Sequence, residues 1–275
     1  TTANVSGPGL RVAVCLGGEI RGERSTEVIQ SIVDNVLQPL GADVFVYVPL
    51  KRYRDLLSPS PEDLLLLHQL PGLKSLHIEQ ENATATLMSE MYRAHANNAR
   101  QVFEMTRRVA GNWLGGIEEE RPRRDSTEED TRATWRRPGN GLLQMLTWRR
   151  CLDMVERAES MAEGRRYDWV IPSRLNLQWE HPHIPLELLS RDAVWIPEGM
   201  DYGGVNDRHA VVPRGDERSD GSPSASEMYL DSWRFLVGGH AVAALTEYLV
   251  HLLPEGATVR HTGCDPDIDG AEHHP

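Results

Sequence analysis

Residues 11–48 read RVAVCLGGEIRGERSTEVIQSIVDNVLQPLGADVFVYV, and the change of hydrophobic period inside this stretch decides the fold. Positions 11–16 are a short run rich in β-branched residues that Gly17 and Gly18 stop, the pattern of a buried strand. Between 25 and 37, Val28, Ile29, Ile32, Val33, Val36 and Leu37 recur at helical spacing, and Pro39 is expected to end that helix. Positions 43–48 return to a strand. Strand, helix and strand so close together make a βαβ unit, with parallel strands and a right-handed crossover.

Outward from this unit the same reading gives a short helix at 64–70, a third strand at 73–78 and a long helix at 84–109. Leu87, Met91, Ala94, Met105 and Val109 lie on the apolar side of the last. The stretch 115–139 is crowded with charge and has no period, so it is expected to be a mobile, solvated insertion; a lid over a donor site is the sharper alternative. A strong helix resumes at 142–161. Strands are expected at 169–173 (WVIPS), 193–196 (AVWI) and 209–212 (HAVV), and Pro172 marks a strand end or a sheet edge. Helices are expected at 225–236 and 240–252. The whole divides into a leader at 1–9, one α/β domain over 10–262 and a polar, acidic tail at 263–275. Its core is an open, mostly parallel, Rossmann-like sheet with helices on both faces, an architecture that takes ligands at the carboxyl ends of its strands.

Composition narrows the function. The 275 residues are 40% hydrophobic and 25% charged, an ordinary globular balance. A net charge of -12 argues against nucleic acid as a partner, because a phosphate backbone calls for a basic surface. Any phosphate would be held by a few arginines; lysine occurs only as Lys51 and Lys74. No run of apolar residues reaches the ~20 of a membrane span. Cys15, Cys151 and Cys264 lack zinc-ligand spacing and are too few for a disulfide framework, which leaves Cys15 as a plain core residue. The start at Thr1 is compatible with a removed signal or anchor, and the sequons at Asn4 and Asn82 fit a secretory compartment.

Three strand ends carry unusual polar residues: Gly17, Gly18 and Arg21 after the first strand; Arg174 and Asn176 after 169–173; and Gly203, Gly204, Asn206, Asp207 and Arg208 before 209–212. Glycines let the backbone approach a ligand closely, and amides beside an arginine cradle phosphate. The motifs VAVCLGGEIRG, ADVFVYV, YDWVIPSRLNL and GGVNDRHAVVPR, in this order, resemble a glycosyltransferase family with a GT-A-like nucleotide-sugar fold. The resemblance implies a nucleotide diphosphate sugar as donor, held by Gly17, Gly18, Arg21, Arg174, Gly203, Gly204, Asn206 and Arg208, and a glycan or glycoprotein acceptor. The expected location, from the sequons and the start at Thr1, is the secretory pathway at the Golgi lumen, with the cytoplasm as the alternative.

Asp207 is the candidate general base or sugar-positioning carboxylate, and Glu227 a second catalytic candidate. A turn-capping aspartate is the other reading of Asp207, and a structural ion pair the other reading of Arg174. Where the family pattern has an aspartate able to hold manganese or magnesium, this chain has Asn176, a weaker ligand for a hard cation. His261 is the other candidate metal ligand, because some enzymes of this fold use a histidine near the chain end. Two rival functions remain: an inactive relative that binds nucleotide or glycan, and an unrelated doubly wound nucleotide enzyme. The absence of phosphate-loop and Gly-x-Gly-x-x-Gly motifs weighs against the latter.

Overall fold

A computed structural model describes residues 9–20, 24–53, 56–80, 82–110, 141–199, 206–215 and 223–239. The expected insertion at 115–139, the helix at 240–252 and the tail at 263–275 lie outside them, as does most of the leader. The chain divides into two compact units, one of residues 1–81 and 144–232 and one of residues 82–143 and 233–275.

The first unit is α/β. Its sheet is built from β1 (Val12–Gly17), β2 (Asp43–Pro49), β5 (Leu73–Glu79), β6 (Trp169–Arg174) and β7 (Val212–Pro213), in the order β5-β2-β1-β6-β7. The β1–β2, β2–β5 and β1–β6 pairs are parallel, and β7 runs antiparallel at one edge. A small hairpin, β3 (Lys51–Tyr53) with β4 (Leu56–Ser58), stands apart. Alternation explains why both faces are covered. Val12, Val14 and Leu16 of β1, with Val44, Val46 and Val48 of β2, face α1 (Ser25–Ile32), α2 (Gln38–Leu40) and α3 (Pro61–His68). The intervening Ala13, Cys15, Phe45 and Tyr47 face the long helix α6 (Gly141–Met161) through Trp148, Leu152 and Val155.

Several expectations need correction. Pro39 does not end the first helix. The helix widens into a π turn at Val33–Leu37 and continues through Pro39 to Leu40. Proline has no N–H for the carbonyl four residues back and its ring crowds that position; here that carbonyl belongs to Asn35, which instead accepts the backbone N–H of His183 at 2.7 Å. The Asn35 side chain also donates to the Trp179 carbonyl at 3.0 Å, so the segment after β6 docks onto this turn. Pro172 sits within β6, an inner strand; its carbonyl accepts from Ala210 at 3.1 Å, so its missing donor faces the short antiparallel edge segment. The expected strand at 193–196 is a single bridge between Trp195 and Val211, and 209–212 is reduced to bridges at His209 and Val211 leading into β7. The helix at 225–236 is two helices, α7 (Ala225–Leu230) and α8 (Ser232–Val237).

Cys15 and Cys151 are joined in a disulfide, their Cα atoms 5.9 Å apart, so Cys15 is a cross-link between β1 and α6 rather than a plain core residue. In the second unit the long helix expected at 84–109 is broken into α4 (Ala83–His95) and α5 (Ala99–Ala110) by a 3-10 turn entered through Ala96 at φ +47. No described helix is long and apolar enough to cross a membrane.

Candidate functional site

In the strand order, the chain moves outward from β1 to β2 and β5, then returns to the other side of β1 with β6. The crevice between the carboxyl ends of β1 and β6 is therefore the topological switch point, where such sheets take their ligands. Gly17 pairs in register with Arg174, and Leu175 donates to the Gly17 carbonyl at 3.0 Å. Arg174 donates its backbone N–H to the Arg208 carbonyl at 3.0 Å, which brings the third motif to the same rim.

The two glycines have different reasons to be there. A Cβ on Gly17 would collide with the Thr147 methyl and stand 3.0 Å from the Trp148 ring, so Gly17 is a packing glycine beneath α6. Gly18 has φ +106 and open space where a Cβ would be. Its conformation requires glycine, and its N–H is donated to the Tyr47 carbonyl at 3.2 Å, which ties the turn after β1 to β2.

The Arg174 Nη2 donates to Asp207 Oδ2 at 2.7 Å. The arginine side chain is 26% exposed and the aspartate 56%, so the pair opens to solvent. The buried Arg174 Nε has no partner. Tyr229 faces the same pair: burial raises its pKa to about 12, the Asp207 charge adds to the rise and Arg174 opposes it. Trp148 Nε1 and Gln144 Nε2 are further buried donors without partners. They lie one turn apart on α6, which runs antiparallel to β1, since Cys151 bonds Cys15 and Thr147 meets Gly17. Gln144 thus stands beyond the end of β1. The helical period of 142–161 does not single out these donors, and nothing in their spacing distinguishes them.

The other candidates are placed as follows. Asn206 is buried and spends its side chain on the turn, donating to Gly199 O and accepting from Arg208 N, both at 3.0 Å. Asn176 is exposed in the turn after β6. Glu227 is separated from Asp207: it closes a capping box at the start of α7, accepting from Ser224 N at 2.7 Å and from its hydroxyl at 3.0 Å. Burial alone would raise its pKa, but the Ser224 hydrogen bonds and the charges of Arg214 and Arg166 hold it below the usual carboxylate value. Arg21, Gly203, Gly204 and His261 lie outside the described residues. Among those residues, no group of three or more His, Cys, Asp or Glu could hold a metal ion.

Behind the rim, on the opposite sheet face, His209 and His183 are buried with ring centroids 5.4 Å apart, and Trp179 packs edge-on against His209 at 4.9 Å. Burial, with His183 close by, pushes the His209 pKa down to about 3; burial also lowers His183, against its bond to the Ile184 carbonyl.

Residues 130–221 match the family model of a domain of unknown function, DUF7796. This segment contains Arg174, Asn176 and the whole 203–208 motif, and Gly17 and Gly18 lie outside it. No curated protein and no solved structure matches the chain.

Proposed function

We propose that the chain transfers a sugar from a nucleotide diphosphate donor to a hydroxyl of a glycan or glycoprotein, using a GT-A-like form of this α/β fold. The observation that carries the reading is the half-open Arg174–Asp207 pair at the switch point, beside the glycine turn that ends β1. Phosphate needs a cation with donors to spare, and the partly exposed Arg174 guanidinium reaches Asp207 through one nitrogen. An acceptor hydroxyl needs a nearby carboxylate, and only one oxygen of Asp207 is bound to Arg174.

In the step, the acceptor oxygen attacks the anomeric carbon and its proton passes to Asp207. The bond from that carbon to the diphosphate breaks, and the leaving oxygen keeps the electron pair. The charge that grows on it is stabilised by Arg174, with Arg21 as a second cation. Manganese or magnesium, if bound, would neutralise charge on the diphosphate, with Asn176 offering it only a neutral oxygen. Asn176 is neutral, and among the described residues no group of three or more His, Cys, Asp or Glu could hold the ion, so no step here is routed through a metal. A secretory, Golgi-type location draws support from the Cys15–Cys151 disulfide, a bond that persists in oxidising compartments, and from the exposed sequon at Asn82.

The test is thermal-shift screening of nucleoside diphosphates and their sugars, with and without manganese, followed by assay of donor turnover. Asp207→Asn should lower turnover by about 10²–10⁴-fold while donor affinity is kept. Unchanged turnover removes Asp207 from the mechanism. A second reading, nucleotide or glycan binding without transfer, is favoured by Asn176; stabilisation by a nucleoside diphosphate with no turnover of any donor would select it.

A further inference from the structure

The edge of the sheet opposite the switch point carries a cleft of about 370 Å³, between the second half of α6 and the start of β2 and β5. This volume falls within the range of small-molecule sites, about 300–1,000 Å³. One wall is apolar: Met154, Ala158 and Met161 recur at helical spacing on one face of α6. The other wall is cationic, and its charges are unequally satisfied. Lys74 pairs with Asp43 at 3.3 Å, and the Tyr167 hydroxyl donates to the same carboxylate at 2.8 Å, so that charge is closed. The Arg11 guanidinium donates to the carbonyls of Arg165 and Arg166 and lies 4.3 Å from the Tyr167 ring centroid, meeting no carboxylate among the described residues. Arg157, on α6 between Met154 and Ala158, is exposed and makes no hydrogen bond or ion pair among them. On a chain of net charge -12, two uncompensated cations thus border a thioether-lined apolar strip, Arg11 from across the cleft and Arg157 from α6 itself.

We propose that this cleft is a second ligand site, for a small organic anion whose carboxylate or phosphate head meets Arg11 and Arg157 and whose alkyl or aryl body lies on Met154, Ala158 and Met161. Charge-assisted hydrogen bonds fix the head, and polarisable methionines adapt to the body. The site is independent of sugar transfer, since it shares no residue with the switch point.

The experiment is calorimetric titration of the full chain with hexyl phosphate, hexanoate, inorganic phosphate and hexanol. At least one of the two amphipathic anions should bind, at least about tenfold more tightly than either inorganic phosphate or hexanol, and the better of the two identifies the head group. Arg157→Glu, at an exposed position, should weaken that binding at least about tenfold without changing the melting temperature. Ala158→Trp, which fills the cleft, should abolish it, with methionine methyl resonances reporting contact in the unaltered chain. The proposal is overturned if neither amphipathic anion binds, if inorganic phosphate or hexanol binds as well as they do, or if Arg157→Glu leaves their binding unchanged.

Discussion

Two arginine–carboxylate pairs stand at opposite ends of β6, and they are built in opposite ways. At the amino end Arg214 is 3% exposed and Glu159 6%. There the guanidinium meets both carboxylate oxygens and the Ser226 hydroxyl, while Glu159 also accepts from Tyr167 N. At the carboxyl end Arg174 reaches Asp207 through one nitrogen, and the pair is open to solvent. A closed pair has nothing left to offer a ligand and belongs to the architecture. An open pair adds little to stability and keeps donors and an acceptor oxygen for something else.

This contrast can be broken or sharpened by measurement. Glu159→Gln should cost the most, about 3–5 kcal/mol by chemical denaturation, because it leaves the buried Arg214 charge only the more exposed Glu156 carboxylate at 3.6 Å. A cost under about 1 kcal/mol would make the two pairs equivalent. Midway between them, replacing Cys15 and Cys151 together by Ala should cost about 2–4 kcal/mol, and intact chain denatured without reductant should offer a single reactive thiol. Three reactive thiols would disprove the cross-link.

Acid should act on the segment that joins the two pairs, through His183 and His209. A histidine whose folded-state pKa lies below the ordinary 6.5 leaves the unfolded chain to take up the proton first. Stability then falls as pH drops below 6.5 and stops falling near the folded value, about 3 for His209. The loss expected between pH 6.5 and 5 is roughly 2 kcal/mol per fully shifted histidine, and a flat profile over that range would contradict the buried neutral pair. The smallest stability effect belongs to Arg174→Ala, within about 1 kcal/mol. Its nucleoside diphosphate affinity should nevertheless fall about tenfold, and a large stability loss with unchanged affinity would move this pair into the architectural class.

The βαβ unit and the parallel order were legible because burial on one or both faces writes a period into the residues, as in VAVCL and DVFVYV. The AVWI run shows the limit. Its composition suits a strand, yet Trp195 finds a bridge partner only in Val211 and remains 39% exposed. The break at Ala96 carries neither glycine nor proline, and alanine is the strongest helix former, so neither period nor propensity marks it; only His95, Asn97 and Asn98 around it are weak helix formers. The Cys15–Cys151 bond spans 136 residues, a separation from which spacing says nothing. For the rim, the sequence places Arg174 and Asp207 at strand ends expected to converge on one cleft; their direct ion pair follows from the antiparallel return through His209, which no local pattern reveals.

Pro39 has a reach well beyond its own helix. By withholding one hydrogen it leaves Asn35 with an unclaimed acceptor, and that acceptor is the mooring for His183, 148 positions later in the chain. The loop so moored carries the rings that pack behind Asp207. A residue type usually regarded as an interruption therefore acts as an address, telling a remote stretch of chain where to land.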